Sequence, residues 1–285
     1  MLDILKKAKE NKYAIGSFNV SNLEQVKAII QAAEKLQSPI IISTSEGESN
    51  FIGKKQIKSV IDVYREETGL PIVLNLDHGK SFEIVKEAIE AGYDSIHFDG
   101  SKLSFEENME ETKKIVDFAR EKGIKNIEGE LGYLKGTSTV HEEIEIKPED
   151  LTDSKQAKEF VEKTGVDSLA IVIGNLHGIF KSGKSPHIFL DRLEEIGNLI
   201  GDKVNLILHG GSGIKEDDIE KSIQLGIVKI NVNTELRVAY TESLKKSLQD
   251  NPDKVTPYKI MPPVVEAVQM VVEEKIRLFG SDNKL

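Results

Sequence analysis

Eight short apolar runs recur along the chain, and each is followed by a stretch with helical spacing. The runs are AIGSFNV (14–20), PIIIS (39–43), PIVLNL (71–76) and SIHF (95–98), then NIEGE (126–130), SLAIVI (168–173), NLILH (205–209) and VKINV (228–232). Between them lie patterns such as FEIVKEAIEAG (82–92), AKEFVEKTG (157–165) and IEKSIQLG (219–226), several ending on the glycine that commonly stops a helix. Strands and helices in alternation form right-handed βαβ units around a parallel sheet. Eight units in about 230 residues fit a (β/α)8 TIM barrel. An open doubly wound sheet competes, but it usually carries a glycine-rich loop after its first strand. Here that position reads GSFNVSN. No linker or low-complexity tract interrupts the pattern, so one barrel domain over 1–285 is expected. The segment MPPVVEAVQMVVEEKIRLFG (261–280) predicts an extra C-terminal amphipathic helix, which either closes the barrel or packs on a neighbouring subunit.

Composition narrows the chemistry. Hydrophobic residues make up 39% and charged residues 30%, the balance of a soluble globular protein. There is no cysteine, which excludes disulfides and thiolate metal sites. No apolar stretch has the length of a signal peptide or a bilayer span, so a cytoplasmic address is expected. A formal charge of −10 argues against nucleic acid and membrane as partners. A phosphorylated substrate is compatible with it, because a pocket can be locally positive.

In barrels the working residues sit at the C-terminal ends of the strands, and the polar residues here collect there. Strand one ends at Ser17 and Asn19, strand two at Ser43 and Ser45, strand three at Asp77 and His78. Strand four ends at Asp99 and Ser101, strand five at Glu128 and Glu130. His78, His177 and His209 each lie just past a strand and are each followed by glycine. Glycine makes up about 7% of an average sequence, so three such pairs among six histidines are far from chance. Taken singly, each is more simply a core histidine; together they converge as an open three-ligand zinc site. His97 reads as core or as support behind the site, His187 as surface. GGSGIKEDDIE (210–220) and NVNTE (231–235) place small residues before helices, where free N–H groups and the helix dipole bind anions. Lys181, four residues past His177, is either a second anchor for such an anion or a solvated lysine.

LNLDHG, FDGS, EGELG, GNLHG, LHGGSG and KINVNTELR stand in the order and spacing of the class II, metal-dependent sugar-bisphosphate aldolases, which the chain resembles from residue 16 to about 240. The known members act on fructose or tagatose bisphosphate. The resemblance implies that His78, His177 and His209 bind zinc, with Glu130 approaching the metal in an alternative position. It implies that Asp77 is the acid/base for the hydroxyl proton of the aldehyde product. It assigns Gly178, Lys181, Gly210, Ser212, Asn231, Asn233 and Thr234 to substrate and phosphate, with Ser45 beside them. It also implies a monovalent cation (Na+ or K+) near the phosphate, a phosphorylated ketose as substrate, and a place in glycolysis and gluconeogenesis. A homodimer or homotetramer is the expected assembly.

The residues suit that chemistry independently. Cleaving a ketose bisphosphate leaves a carbanion beside a carbonyl, which a Lewis acid stabilises, while Asp77 reaches the hydroxyl that loses its proton. One departure stands out. Relatives follow ELG with two glycines and then an acidic pair in a mobile loop, whereas this chain reads ELGYLKGTSTVHEEIEI, with Thr137 and Ser138 where acids would fall. Glu142 or Glu143 serves if the loop folds back, Glu143 being the candidate retained, with His141 behind it; otherwise HEEIEI is a solvated strand or turn. Three other readings compete: tagatose-bisphosphate aldolase, a Schiff-base aldolase using Lys229, and a non-catalytic sugar-phosphate binder. A metal-dependent hydrolase is more distant, since it leaves the phosphate motifs unexplained.

Overall fold

The computed structural model describes the backbone of residues 2–285 and the side chains from Asp3 onward. Eight parallel strands close into a barrel: β1 Ile15–Asn19, β2 Ile40–Ser45, β3 Ile72–Gly79, β4 Ser95–Phe98, β5 Asn126–Leu131, β7 Ser168–Ile171, β9 Asn205–Leu208 and β10 Ile227–Val232. They run round the wall in the order β1-β10-β9-β7-β5-β4-β3-β2, each beside its neighbour in the barrel sequence. All eight expected strands form. The remaining two strands, β6 Gly136–His141 and β8 His177–Phe180, pair in parallel outside the barrel. That pair lies where a loop was expected; TSTV supplies β-branched residues that suit a half-exposed strand.

Side-chain alternation divides each barrel strand between two environments. Ile42, Leu74, Leu76, Ile96, Ile127, Leu169, Leu208 and Ile230 point outward into the main core under the helices. The intervening positions point inward, and their character changes with height. Ile15, Ile41, Val73, Ala170 and Ile207 make an apolar floor with Leu5 and Ala8 of the helix Leu2–Glu10, which plugs the N-terminal end. A hydrogen-bonded polar network shares the interior with it: Ser17 with Ser43 (2.8 Å), Asn75 with Ser43 (3.1 Å), Asn126 with Ser95 (2.9 Å) and Ser168 with Asn126 (2.8 Å). Two residues further along the same strands come Asn19 and Asp77, which line the cavity, and His97 and Glu128, which lie beneath it, while His209 follows the end of β9.

The C-terminal helix Pro262–Leu278 packs on the chain's own helices Leu23–Leu36 and Thr234–Asp250. Its Val264, Val268, Val272 and Ile276 recur every four residues and are fully buried. Barrel closure is therefore its role within the chain, while Met270 faces outward.

Candidate active site at the barrel mouth

At Asp77 the alternation of β3 points inward, and its next neighbour should point out. His78 instead adopts φ +52, and the β3–β4 register shifts between Leu76 and Gly79. This left-handed residue costs on the order of 1–3 kcal/mol, and it brings two consecutive side chains to the mouth. The His78 N–H donates to Nδ1 of His97 (3.1 Å), which holds the turn from beneath.

Two of the imidazoles, those of His78 and His209, are oriented by carboxylates. His78 donates Nδ1–H to Oδ2 of Asp99 (3.0 Å), and Oδ1 of Asp99 accepts from the N–H of Ser101 (3.1 Å). His209 donates Nε2–H to Oε1 of Glu128 (2.7 Å). The remaining nitrogens, Nε2 of His78 and Nδ1 of His209, face each other at 3.1 Å. A positive centre between them, a proton or a metal ion, would satisfy both nitrogens. Oδ1 of Asp77 lies 3.9 Å from the first and 3.7 Å from the second. Imidazole and carboxylate donors of this kind suit a divalent transition metal, with carboxylates steering the rings from behind.

The charges follow the packing. Burial disfavours the Asp77 carboxylate, but its neighbours, His78 first among them and then His209, outweigh it and hold the group well below the ordinary range. The same contest, won by His78, keeps Asp99 low. Burial opposes a proton on His78, and the facing Asp77 and Glu130 carboxylates raise its affinity for one. Burial keeps His209 below its ordinary value and, with His78 and His209 nearby, drives His177 to about 3. For His97, burial disfavours charge while Glu128, Asp77 and Glu130 favour it. Geometry decides this one. A backbone N–H aimed at Nδ1 is accepted only by a bare nitrogen, so the ring is neutral, with Nε2–H towards Glu130 Oε2 at 3.1 Å.

Asp77 is fixed by amides on both sides. Its Oδ2 accepts from Asn19 and its Oδ1 from Asn231, at 2.9 and 3.0 Å. Asn19 also donates to Glu48 (2.9 Å), whose other oxygen accepts from Arg237 (2.7 Å). Oδ1 of Asn19, Asn231 and Asn233 are buried without a partner among the described residues, as are Oε2 of Glu130 and Nε2 of His97 by strict hydrogen-bond geometry. Buried orphan acceptors around one cavity are what a polar ligand would satisfy.

Most residues singled out from the sequence meet here. Ser45, Asp77, His78, His177, Gly178 and His209 line the cavity, as do Gly210, Ser212, Asn231, Asn233 and Thr234. Glu130 lies just beneath, with Oε2 3.4 Å from Nδ1 of His78. His177 stands beside the tight cluster, its ring centroid 4.9 Å from that of His78, and His97 takes the deeper place in that cluster. The glycines after the histidines do steric work. A Cβ on Gly178 would lie 2.5 Å from the carbonyls of Thr137 and Thr139, and one on Gly210 would lie 2.0 Å from that of Leu176.

Glu142, Glu143, Lys181, His141 and Lys229 fall elsewhere. Glu143 is exposed and paired with Lys184 (3.0 Å), and Lys181 is exposed and paired with Glu142 (2.8 Å). Both pairs lie beyond the far end of β6, which keeps its acids out of the cavity; Ser138 of β6 lines it instead. His141 donates from Nε2 to the carbonyl of His177 (2.7 Å), a structural bond between β6 and β8. Lys229 is fully buried and paired with Glu128 (2.6 Å) below the mouth, which leaves no open amine for a Schiff base. Lys80 and Arg237 line the cavity and were not singled out, although Arg237 closes the KINVNTELR motif. Glu48 was also missed, because nothing in EGESN marks a buried carboxylate.

The family model of class II fructose-bisphosphate aldolase matches residues 1–284. The chain belongs to that family. Its members are lyases, and relatives resemble this aldolase over its whole length. It is 40% identical over 284 residues to the sulfofructosephosphate aldolase of Alkalicoccus urumqiensis, covering 99% of this chain and 96% of that protein. It is 38% identical to the fructose-bisphosphate aldolase of Staphylococcus aureus strain Mu50, covering 100% of this chain and 98% of the relative. The crystal structure of the YdjI aldolase from Escherichia coli K12 superposes with a TM-score of 0.83 at 35% identity, covering 99% and 97% of the two chains. No helix among the described residues is long and apolar enough to cross a membrane.

Proposed function

We propose that this aldolase is zinc-dependent and cleaves fructose 1,6-bisphosphate reversibly to dihydroxyacetone phosphate and glyceraldehyde 3-phosphate. The observation that carries the reading is the pair of facing nitrogens of His78 and His209 beside Asp77, whose two oxygens are held by Asn19 and Asn231. His78, His177 and His209 are the proposed zinc ligands, with Glu130 serving an alternative position. A bound zinc ion supplies Lewis acidity at a substrate carbonyl. Asp77, held ionised by its neighbours, takes the hydroxyl proton whose loss accompanies carbon–carbon cleavage and returns it in the reverse direction.

Gly178, Gly210, Ser212, Asn231, Asn233 and Thr234 are proposed to hold the phosphate of the dihydroxyacetone half, with a monovalent cation beside it. Lys181 joins them only by leaving Glu142. Ser45 and Arg237 border the cavity beside Glu48, Lys80 borders it with its N–H on Glu46, and the three are assigned to the other phosphate. Glu143 is assigned no step in this closed arrangement, because its carboxylate is spoken for by Lys184 at the surface. The same reading takes the aldolase to work as one barrel domain, in a homodimer or homotetramer, in the cytoplasm.

A second reading, sulfofructose phosphate as substrate, is favoured by the relative of that name at 40% identity. Tagatose bisphosphate differs from the fructose compound in the configuration at one carbon and remains in the panel. The test is cleavage of all three ketoses by the purified protein, before chelation, after EDTA and after zinc is restored. The fructose compound should be turned over fastest, with activity lost to EDTA and regained with zinc.

A further inference from the structure

Below the mouth, Glu128 links two groups that the sequence treats separately. Its Oε1 accepts from Nε2 of His209 at 2.7 Å and its Oε2 from Nζ of Lys229 at 2.6 Å. Glu128 and Lys229 are both fully excluded from solvent, and His209 nearly so. Replacing such a pair by apolar residues commonly costs nothing in stability, so stability alone gives little reason for burying one.

We propose that Glu128 and Lys229 form a positioning pair that fixes the tautomer of His209 and thereby presents its Nδ1 to the metal. The inference rests on the proposed metal reading of this site. A neutral imidazole has one N–H and one lone pair. With the Glu128 carboxylate behind it, the N–H must be on Nε2, and the lone pair is left on Nδ1, facing His78. Lys229 has donors only, so it secures the second oxygen of Glu128 and prevents the carboxylate from turning to any other partner. Neither residue touches substrate; both act through His209.

The arrangement makes an asymmetric prediction. In Glu128→Gln the amide must choose which end faces Lys229, and a donor-only ammonium accepts only the oxygen. The NH2 end is then forced towards Nε2 of His209, which must become the acceptor, so the proton moves to Nδ1 and blocks ligation. When Lys229→Met is added, the amide can rotate and present its oxygen to His209 again. The double variant should therefore bind metal better than the single one, an outcome that simple loss of packing would not produce.

The experiment measures zinc affinity of the metal-free chain against a chromophoric chelator, for wild type, Glu128→Gln and Glu128→Gln/Lys229→Met, with circular dichroism as the folding control. Loss of an orienting partner behind a ligand typically weakens binding about 10–100-fold, and that is the expected drop for the single variant, with recovery in the double. Unchanged affinity in Glu128→Gln, or a double variant no better than the single, overturns the proposal. If Glu128→Gln does not fold, long-range ¹H–¹⁵N spectra of ¹⁵N-histidine in the metal-free wild type decide: a proton on Nε2 of His209 supports the assignment, one on Nδ1 alone overturns it. A wild type that binds no zinc overturns the metal reading, and the spectrum still judges the Glu128–His209 pairing separately.

Discussion

Nε2 of His78 and Nδ1 of His209 face each other at 3.1 Å, and each ring has already given its other N–H to a carboxylate. Two lone pairs cannot be left pointing at one another in a buried site. A proton or a metal ion must lie between them, and the surrounding carboxylates favour either. This relationship ties the barrel's geometry to its chemistry, and the following outcomes depend on it.

Asp77 sits against both rings and accepts one amide hydrogen bond on each oxygen. Asp77→Asn keeps the size of the side chain and removes the base. We expect cleavage to fall about 10³-fold, within the range for loss of a general acid/base, while zinc content stays at the wild-type level. Metal analysis beside steady-state kinetics checks both parts, and a variant with more than a tenth of the activity would rule out Asp77 as the base.

Arg237 is held by Glu48 and by the carbonyl of Ser138, with its remaining donors at the cavity. A hydrogen bond to a charged group contributes about 1.5–3 kcal/mol. Arg237→Gln should raise the KM for fructose 1,6-bisphosphate about 10–100-fold and leave kcat within a few-fold. Inhibition by dihydroxyacetone phosphate alone should be unaffected. Weakened binding of that product would place Arg237 at the opposite phosphate.

Glu143 is exposed and paired with Lys184, outside the residues that line the cavity. Glu143→Gln should change turnover by no more than about threefold, since an exposed ion pair screened by solvent and remote from the cavity contributes little. A hundredfold loss in tritium exchange on dihydroxyacetone phosphate would mean that β6 lifts during turnover and delivers this acid.

Asp99 is held below the ordinary carboxylate range: burial alone would raise it, but its hydrogen bond and ion pairing with His78 outweigh this. A depressed folded-state value contributes stability that is present above the unfolded value near 4 and is lost as pH falls through the folded one. The urea midpoint of the metal-free protein should therefore hold from pH 7 to about 5 and drop on further acidification. Asp99→Asn should start lower at pH 7 and lose less across the acid limb. An acid limb as steep as that of wild type would show that Asp99 is not its source.

The strands, their order of use and most cavity residues were legible because barrel strands carry a strong periodic signal and end in polar residues. Alternation also marks the layer beneath. His97 lies two residues before Asp99, Glu128 two before Glu130, and Lys229 two before Asn231, each one layer below a residue at the mouth. The inward face could therefore be traced downward from the motifs. Glu48 and Lys80 could not be found this way, since Lys80 reaches the cavity from the turn after β3 and Glu48 braces Asn19 and Arg237 from the helix Glu46–Ile52, placements that depend on tertiary packing. The sequence left HEEIEI open between a catalytic acid and a solvated segment for a similar reason. Pairing of β6 with β8 depends on Gly178 and on the His141–His177 bond, neither of which local sequence specifies.

The central claim is that cleavage depends on one zinc ion held at the facing histidines. The most direct test is to titrate the metal-free chain with zinc and follow cleavage of fructose 1,6-bisphosphate at each addition. Activity should rise in proportion to zinc and level off at one ion per chain, with His78→Ala showing neither binding nor turnover. Full activity in a chain stripped of metal would contradict it.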